Sequence, residues 1–165
     1  MELERRTFAV RGRTVTHSFL RFPGVVVILA EDGAGRVLFV RQYRAALDRR
    51  ILELPAGRLE PGEEPEAGAR RELEEETGFA PETLRPLLSF WPAPGYSTER
   101  IWAFLADELR PTATHFDAGE DIELVPLTRQ GWHAAMASGE LADGKSLLTL
   151  LAWEGGWRVT VAPLP

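Results

Sequence analysis

The chain has 165 residues, a formal net charge of −6 and hydrophobic residues at 44% of its positions. This length and this apolar content suit a single globular domain spanning residues 1–165. The acidic balance argues against binding of long nucleic acid, whose phosphates require basic patches. The chain contains no cysteine, which excludes disulfides and thiolate metal sites.

The first residues, "MELERRTFAV", contain no apolar run of signal-peptide length. The longest apolar run, "VVVILA" at residues 25–30, is far too short to span a membrane. We therefore expect a cytoplasmic protein without a membrane partner. A small anionic substrate remains compatible with the acidic chain, because metal ions can supply the positive charge that such a ligand needs.

The predicted elements begin with strands. The stretch "TFAVRGRTVTHSFLRF", residues 7–22, predicts an antiparallel pair of strands around a turn at Gly12. Residues 24–44 predict a hairpin, because two β-branched and aromatic runs flank the glycine-bearing turn "EDGAG". A short strand, "ILEL", follows at residues 51–54 and is succeeded by a loop and a helix.

The second half of the chain predicts three more internal strands, two more helices and a terminal strand. The strands are expected at residues 84–91, 99–106 and 121–127. Thr128 is the expected N-cap of a helix, a second helix is expected at 145–153, and residues 157–161 suggest a terminal strand. This order of elements favours an α+β fold with a mixed sheet over regular βαβ repeats.

One segment, "GRLEPGEEPEAGARRELEEETGF" at residues 57–79, contains eight acidic side chains. Pro65 suits the first turn of a helix, and Gly78 suits a left-handed C-terminal end. Such a segment is either a solvated charged helix or a site for a ligand that compensates the negative charge.

The spacing of three glutamates favours the ligand site. Glu72, Glu75 and Glu76 stand at i, i+3 and i+4, so their side chains fall within roughly a 100° arc of one helix face. Like charges at this spacing destabilise a helix. Hard divalent cations prefer clustered carboxylate oxygens, so the pattern predicts Mg²⁺, with Mn²⁺ as the other candidate.

The same segment resembles the signature of the Nudix hydrolase family at every fixed position. These positions are Gly57, Glu63, Arg71, Glu72, Leu73, Glu75, Glu76, Gly78 and Phe79. The resemblance implies an α/β/α sandwich around a mixed sheet. It also implies cleavage of a pyrophosphate bond in a nucleoside diphosphate that is linked to another group.

The resemblance assigns roles to residues of the segment. It implies that Glu72, Glu75 and Glu76 bind metal, together with the carbonyl of Ala56 or Gly57. Glu63 and Arg71 would brace the loop–helix–loop. Gly57 and Gly78 would serve as structural support.

The flanks of the signature resemble the ADP-ribose pyrophosphatase subgroup. They include "VRQYR" at 40–44, "ELPAG" at 53–57, "PGYSTE" at 94–99 and "AGEDIEL" at 118–124. ADP-ribose is then the expected substrate, with AMP and ribose 5-phosphate as products. The alternatives are a sugar nucleotide, a flavin or nicotinamide dinucleotide, a nucleoside triphosphate, or a module that binds such a ligand without turnover. The presence of all the helix glutamates favours catalysis.

Residues outside the signature are the candidates for substrate binding. Arg44, and after it Arg41, would contact phosphates or the terminal ribose through charge-assisted hydrogen bonds. Tyr96 would stack on the adenine, and Glu99 would accept a hydroxyl. The alternative is that the arginines lie at an ordinary strand edge and that the aromatic ring only packs.

The reaction also needs a general base. A bound divalent cation lowers the pKa of water, and a carboxylate outside the helix would take its proton. Glu120 is the first candidate and Glu123 the second, while Glu75 or Glu76 has this role in other Nudix groups. The resemblance further implies a homodimer through the N-terminal strands, residues 1–22.

Overall fold

The computed structural model of the chain describes residues 1–112 and 121–157. Its first element is a two-stranded ribbon. Strand β1 (Glu2–Val10) pairs antiparallel with β2 (Arg13–Arg21), and the turn between them includes Gly12, whose φ is 76°. The predicted N-terminal strand pair is confirmed.

Beyond this ribbon, the described residues form seven strands in two sheets. The larger sheet has the order β6-β3-β8-β7 and contains β3 (Val25–Ala30), β6 (Ala56–Arg58), β7 (Phe79–Phe90) and β8 (Ile101–Pro111). The smaller sheet has the order β5-β4-β9 and contains β4 (Val37–Arg44), β5 (Arg49–Glu53) and β9 (Ile122–Leu127). β3 runs parallel to β8 and antiparallel to β6, so the larger sheet is mixed.

Helices cover both faces of the mixed sheet. They are α1 (Pro65–Thr77), α2 (Arg129–Ser138) and α3 (Gly144–Glu154). One core cluster contains residues of α2 and α3 together with Val25, Val27 and Leu29 of β3. The other contains residues of α1 together with Val26, Ile28 and Ala30 of β3. Successive strand residues point to opposite faces, so β3 lies between two helical layers. The predicted α+β class and α/β/α sandwich are confirmed.

The hairpin predicted for residues 24–44 is wrong. β3 pairs with β6 and β8, β4 pairs with β5 and β9, and an isolated bridge between Glu31 and Val37 joins the two runs. All six residues of β3 are buried, which is typical of a central strand covered on both faces. The apolar content that suggested a hairpin therefore reflects two interior strands of different sheets.

The predicted helix ends agree with the structure. Thr128 accepts a hydrogen bond from the backbone N–H of Gly131 at 3.3 Å, and Gly78 ends α1 with φ 71°. β6 was predicted as loop, because three residues with a central glycine give no strand signal. Residues 158–161 of the predicted terminal strand lie outside the described residues. No helix in the described ranges is long and apolar enough to cross a membrane.

Candidate active site

Helix α1 is held against the mixed sheet by a narrow apolar stripe. Ala69 and Leu73 are fully buried, and burying one such leucine stabilises a fold by about 1.5–3 kcal/mol. The side chain of Leu59 occupies the space that Gly68 leaves beside the helix. These contacts place the glutamate-bearing side of α1 next to β6.

A cavity of about 540 Å³ lies where α1, β6 and β4 meet. We call it the glutamate cavity. Among the residues that line it are Arg44, Ala56, Gly57, Arg58, Glu72 and Glu76. The structure therefore brings two of the three predicted metal-binding carboxylates to one cavity, together with the backbone at Ala56 and Gly57.

Two backbone features fix these carboxylates. Glu76 is only 4% exposed, and its Oε2 accepts a hydrogen bond from the backbone N–H of Ala56 at 2.9 Å. A buried carboxylate requires such a partner. The carboxylate of Glu72 lies so close to Gly57 that a Cβ at this position would overlap it. Gly57 is therefore needed for close approach of the strand to the helix.

Arg71 holds the remaining acidic groups. Its guanidinium donates to Glu63 through Nε and Nη2, each at 3.0 Å, and Nη1 donates to Glu72 and Glu75, each at 2.9 Å. Hydrogen bonding to Glu63 raises the pKa of Arg71, and the same contact lowers the pKa of Glu63. The cation offsets part of the repulsion between the helix glutamates.

The donor groups at the glutamate cavity suit a hard divalent cation. Within residues 1–112 and 121–157, no three carboxylate or imidazole side chains converge as a preformed metal cage. Glu75 contacts Arg71 and does not line the cavity, whereas Glu72 and Glu76 do. Mg²⁺ is usually held by one or two carboxylates plus water and substrate phosphates, so this pair of glutamates fits it.

A second cavity, of about 380 Å³, adjoins the first and shares Arg44, Ala56, Gly57 and Arg58 with it. We call it the lysine cavity, because Lys145 lines it. Glu99, a predicted substrate-binding residue, also lines it. Burial raises the pKa of Glu99, although Lys145 and Arg58 act in the opposite direction.

A partly buried ion-pair network contributes Arg44, Asp143 and Lys145 to the lining of the cavities. Glu53 is 3% exposed, and the single N–H at Nε of Arg44 is shared between its two carboxylate oxygens, each at 3.1 Å. Nη2 of Arg44 forms an ion pair with the same carboxylate. Nζ of Lys145 lies 2.9 Å from Asp143 and 3.6 Å from Glu53. Burial alone would raise the pKa of Asp143, but Lys145 and Ser146 lower it overall.

Sequence reasoning missed Glu53, Asp143 and Lys145 as members of the site. The sequence carried a signal for two of them, Glu53 and Lys145. Glu53 is the acidic residue within the otherwise apolar "ILEL", and Lys145 is the only lysine in the chain. An acidic side chain in a buried strand requires a partner. A single lysine in an arginine-rich chain indicates a position that suits a compact ammonium group and not a planar guanidinium.

The structure does not bring every predicted residue to the cavities. Arg41 pairs with Glu123 at 2.8 Å and with Glu140 at 2.5 Å. Strand alternation places Arg41 on the face of β4 opposite Gln42 and Arg44, so neither Arg41 nor Glu123 lines the glutamate cavity. Tyr96 is 63% exposed and lines neither cavity.

The first candidate for the general base, Glu120, lies outside the described residues.

Comparison with known proteins identifies the family. The NUDIX domain model matches residues 20–144. The chain is 37% identical to an ADP-ribose pyrophosphatase from Bacillus subtilis (strain 168) over 137 residues, which are 82% of this chain and 74% of that protein. It is 30% identical to a GDP-mannose pyrophosphatase from Enterobacter sp. (strain 638), over 84% of this chain and 78% of that protein.

A solved structure described as an ADP compounds hydrolase has the same fold, with a TM-score of 0.79 over 94% of this chain and 92% of that one, at 20% identity. These findings confirm the resemblance that the signature at residues 57–79 carries. The chain therefore belongs to the NUDIX domain family, as a pyrophosphohydrolase of the ADP-ribose pyrophosphatase-like kind.

Proposed function

We propose that the chain hydrolyses the pyrophosphate bond of ADP-ribose in a Mg²⁺-dependent reaction. Water adds across the bond, giving AMP and ribose 5-phosphate. The observation that carries the proposal is the glutamate cavity, which is lined both by the acidic residues Glu72 and Glu76 and by the basic residues Arg44 and Arg58. Carboxylates for a metal and cations for phosphate are the two charge types that a diphosphate substrate requires.

Glu72 and Glu76 would hold Mg²⁺, with Glu75 and the Ala56 carbonyl as further ligands. When bound, Mg²⁺ supplies positive charge to the phosphates and lowers the pKa of water. The N–H of Ala56 orients Glu76, and Arg71 orients Glu72, so the chain fixes both carboxylates before a substrate arrives. Glu120 remains our first candidate for the general base, followed by Glu123 and then by Glu75 or Glu76.

The second candidate function is hydrolysis of a sugar nucleotide. It is favoured by the similarity to GDP-mannose pyrophosphatase. Both functions use the same cleavage chemistry, so they differ only in which groups flank the diphosphate. A binding module without turnover is disfavoured, because the chain retains Glu72, Glu75 and Glu76.

We also propose a cytoplasmic homodimer joined through the N-terminal ribbon. The ribbon exposes apolar side chains on β1: Leu3 is 68%, Phe8 is 39% and Val10 is 44% exposed. Pairing with a second copy of the chain would cover Phe8 and Val10, which strand alternation puts on one face of β1.

A panel of nucleoside diphosphate derivatives, with products separated by chromatography, tests the assignment. We expect the highest kcat/KM for ADP-ribose and at least a ~10²-fold loss of kcat in Glu76→Gln, because the variant loses a charged metal ligand. Glu66→Gln is the matched control, since Glu66 lies on the same helix and is 60% exposed. A higher kcat/KM for GDP-mannose would favour the second candidate, and no turnover of any compound would contradict both.

A further inference from the structure

Arg58 lies at the junction of the two cavities and lines both of them. The direction of the Arg58 side chain follows from the position of Arg58 on β6. Gly57 faces α1, because a Cβ there would overlap the carboxylate of Glu72. Strand alternation then turns Ala56 and Arg58 to the opposite face. On that face Arg58 is the register partner of Val25, which also lines the lysine cavity.

The other cations of the two cavities are already engaged by carboxylates. Arg71 contacts Glu63, Glu72 and Glu75. Arg44 is paired with the buried Glu53, and Lys145 is paired with Asp143 at 2.9 Å. Each of these groups would have to give up a partner, or share it, in order to bind an anion.

Arg58 differs from all three. Among the described residues no carboxylate lies within ion-pair distance of its guanidinium, although its positive charge acts to lower the pKa of Glu99. Its side chain is exposed. Its backbone carbonyl is held by Nη2 of Arg71 at 3.0 Å, so the strand position is fixed while the guanidinium remains available. An arginine presents a planar set of donors that matches phosphate oxygens.

We propose that Arg58 is a further substrate-binding residue, which holds the diphosphate on the side opposite Glu72 and Glu76. The inference rests on the proposed function, because it assumes a diphosphate in the glutamate cavity. A divalent cation held by Glu72 and Glu76 would satisfy one side of the diphosphate. The opposite side needs a cation from the chain, and Arg58 is the cavity arginine that can provide it without breaking an ion pair.

Two substitutions test the inference in the full-length protein. Arg58→Gln removes the charge, and Arg58→Lys keeps the charge but loses the planar donor set. The control is Arg85→Gln, which removes the same charge from an exposed position on β7 that lines neither cavity. Melting temperatures should be unchanged in all three variants, since both arginines are exposed.

We expect KM for ADP-ribose to rise about tenfold or more in Arg58→Gln, with kcat changed less than about threefold, because a charge-assisted hydrogen bond is lost from the bound substrate. Arg58→Lys should recover part of the loss, and Arg85→Gln should match the wild type.

The second readout is calorimetric titration of ADP-ribose into protein kept metal-free with EDTA, where no turnover occurs. The dissociation constant of Arg58→Gln should rise by a similar factor, and the difference should shrink as salt is added.

The outcomes separate the two claims. Unchanged KM and dissociation constant in Arg58→Gln, beside an active wild type, would overturn the role of Arg58 and leave the proposed function standing. A wild type that hydrolyses no nucleoside diphosphate derivative would overturn the proposed function. In that case the metal-free titration still decides whether Arg58 binds the diphosphate.

Discussion

The carboxylates of the site differ in the hydrogen bonds that the fold provides to them. Glu76 accepts a backbone N–H, and Glu63 is bonded by Arg71. Glu99 lines the lysine cavity without a hydrogen bond to its carboxylate among the residues that the structure describes. A partly buried carboxylate without such a bond is held at a cost in stability, which is common where a group is kept available for a ligand.

Replacement of the Glu99 carboxylate by an uncharged group should therefore stabilise the protein. The pKa of Glu99 is raised above its ordinary value of 4.5, mainly by burial. Above that folded-state pKa the ionised group disfavours the folded state, and the penalty disappears as pH falls below 4.5. We expect Glu99→Gln to melt at a higher temperature than the wild type at pH 7 and at the same temperature near pH 4.

Glu2→Gln, at an exposed position of β1, is the control for loss of one charge. A melting temperature of Glu99→Gln that is equal to or below that of the wild type at pH 7 would contradict this account of Glu99.

At the level of elements, the sequence predicted α1 more closely than the strands around it. Pro65 and Gly78 have fixed backbone roles, so both ends of the helix could be inferred from residue type. β6 could not, because its three residues become a strand only by pairing with β3. The hairpin error has the same origin: apolar content indicates burial, but it does not indicate which partner strand provides it.

The left-handed end of α1 should matter for activity as well as stability. Gly78 has φ 71°, and Gly139, at the end of α2, has φ 77°. Alanine at either position should lower the free energy of unfolding by about 1 kcal/mol, because a side chain strains the left-handed backbone. We expect kcat for ADP-ribose to fall severalfold in Gly78→Ala alone, because the turn it caps bears Glu75 and Glu76.

Denaturant unfolding and steady-state kinetics on both variants measure the two effects. Equal losses of kcat in Gly78→Ala and Gly139→Ala would show that general destabilisation, not the position of α1, limits activity.

At the level of the whole molecule, the site joins residues that are far apart in the sequence. Lys145 reaches Glu53 across 92 positions, a contact that only the packing of α3 against the strands creates. The signature at 57–79 predicted the acidic half of the site, because those residues share one short segment. Glu53, Asp143 and Lys145 come together only in the tertiary structure, so none of them was among the predicted site residues. Arg58 lies within the segment but is not a fixed position of the signature, so it was not predicted either.

The proposed dimer belongs to the same scale. We expect a solution mass of twice 18.4 kDa by light scattering coupled to size-exclusion chromatography. Phe8→Glu should shift the protein toward the monomer, because it puts a charge on the apolar surface of β1, whereas Tyr43→Glu, at an exposed position of β4, should not. A monomer in the wild type at micromolar concentration would rule out the dimer.

The proposed function depends on a divalent cation at Glu72 and Glu76. Its most direct test is a titration of Mn²⁺ into the protein with AMP present, with the free ion quantified by electron paramagnetic resonance. We predict that Glu72→Gln and Glu76→Gln each weaken Mn²⁺ binding at least tenfold (about 1.4 kcal/mol), while Glu66→Gln binds as the wild type does. Equal Mn²⁺ affinity in all four proteins would contradict the central claim.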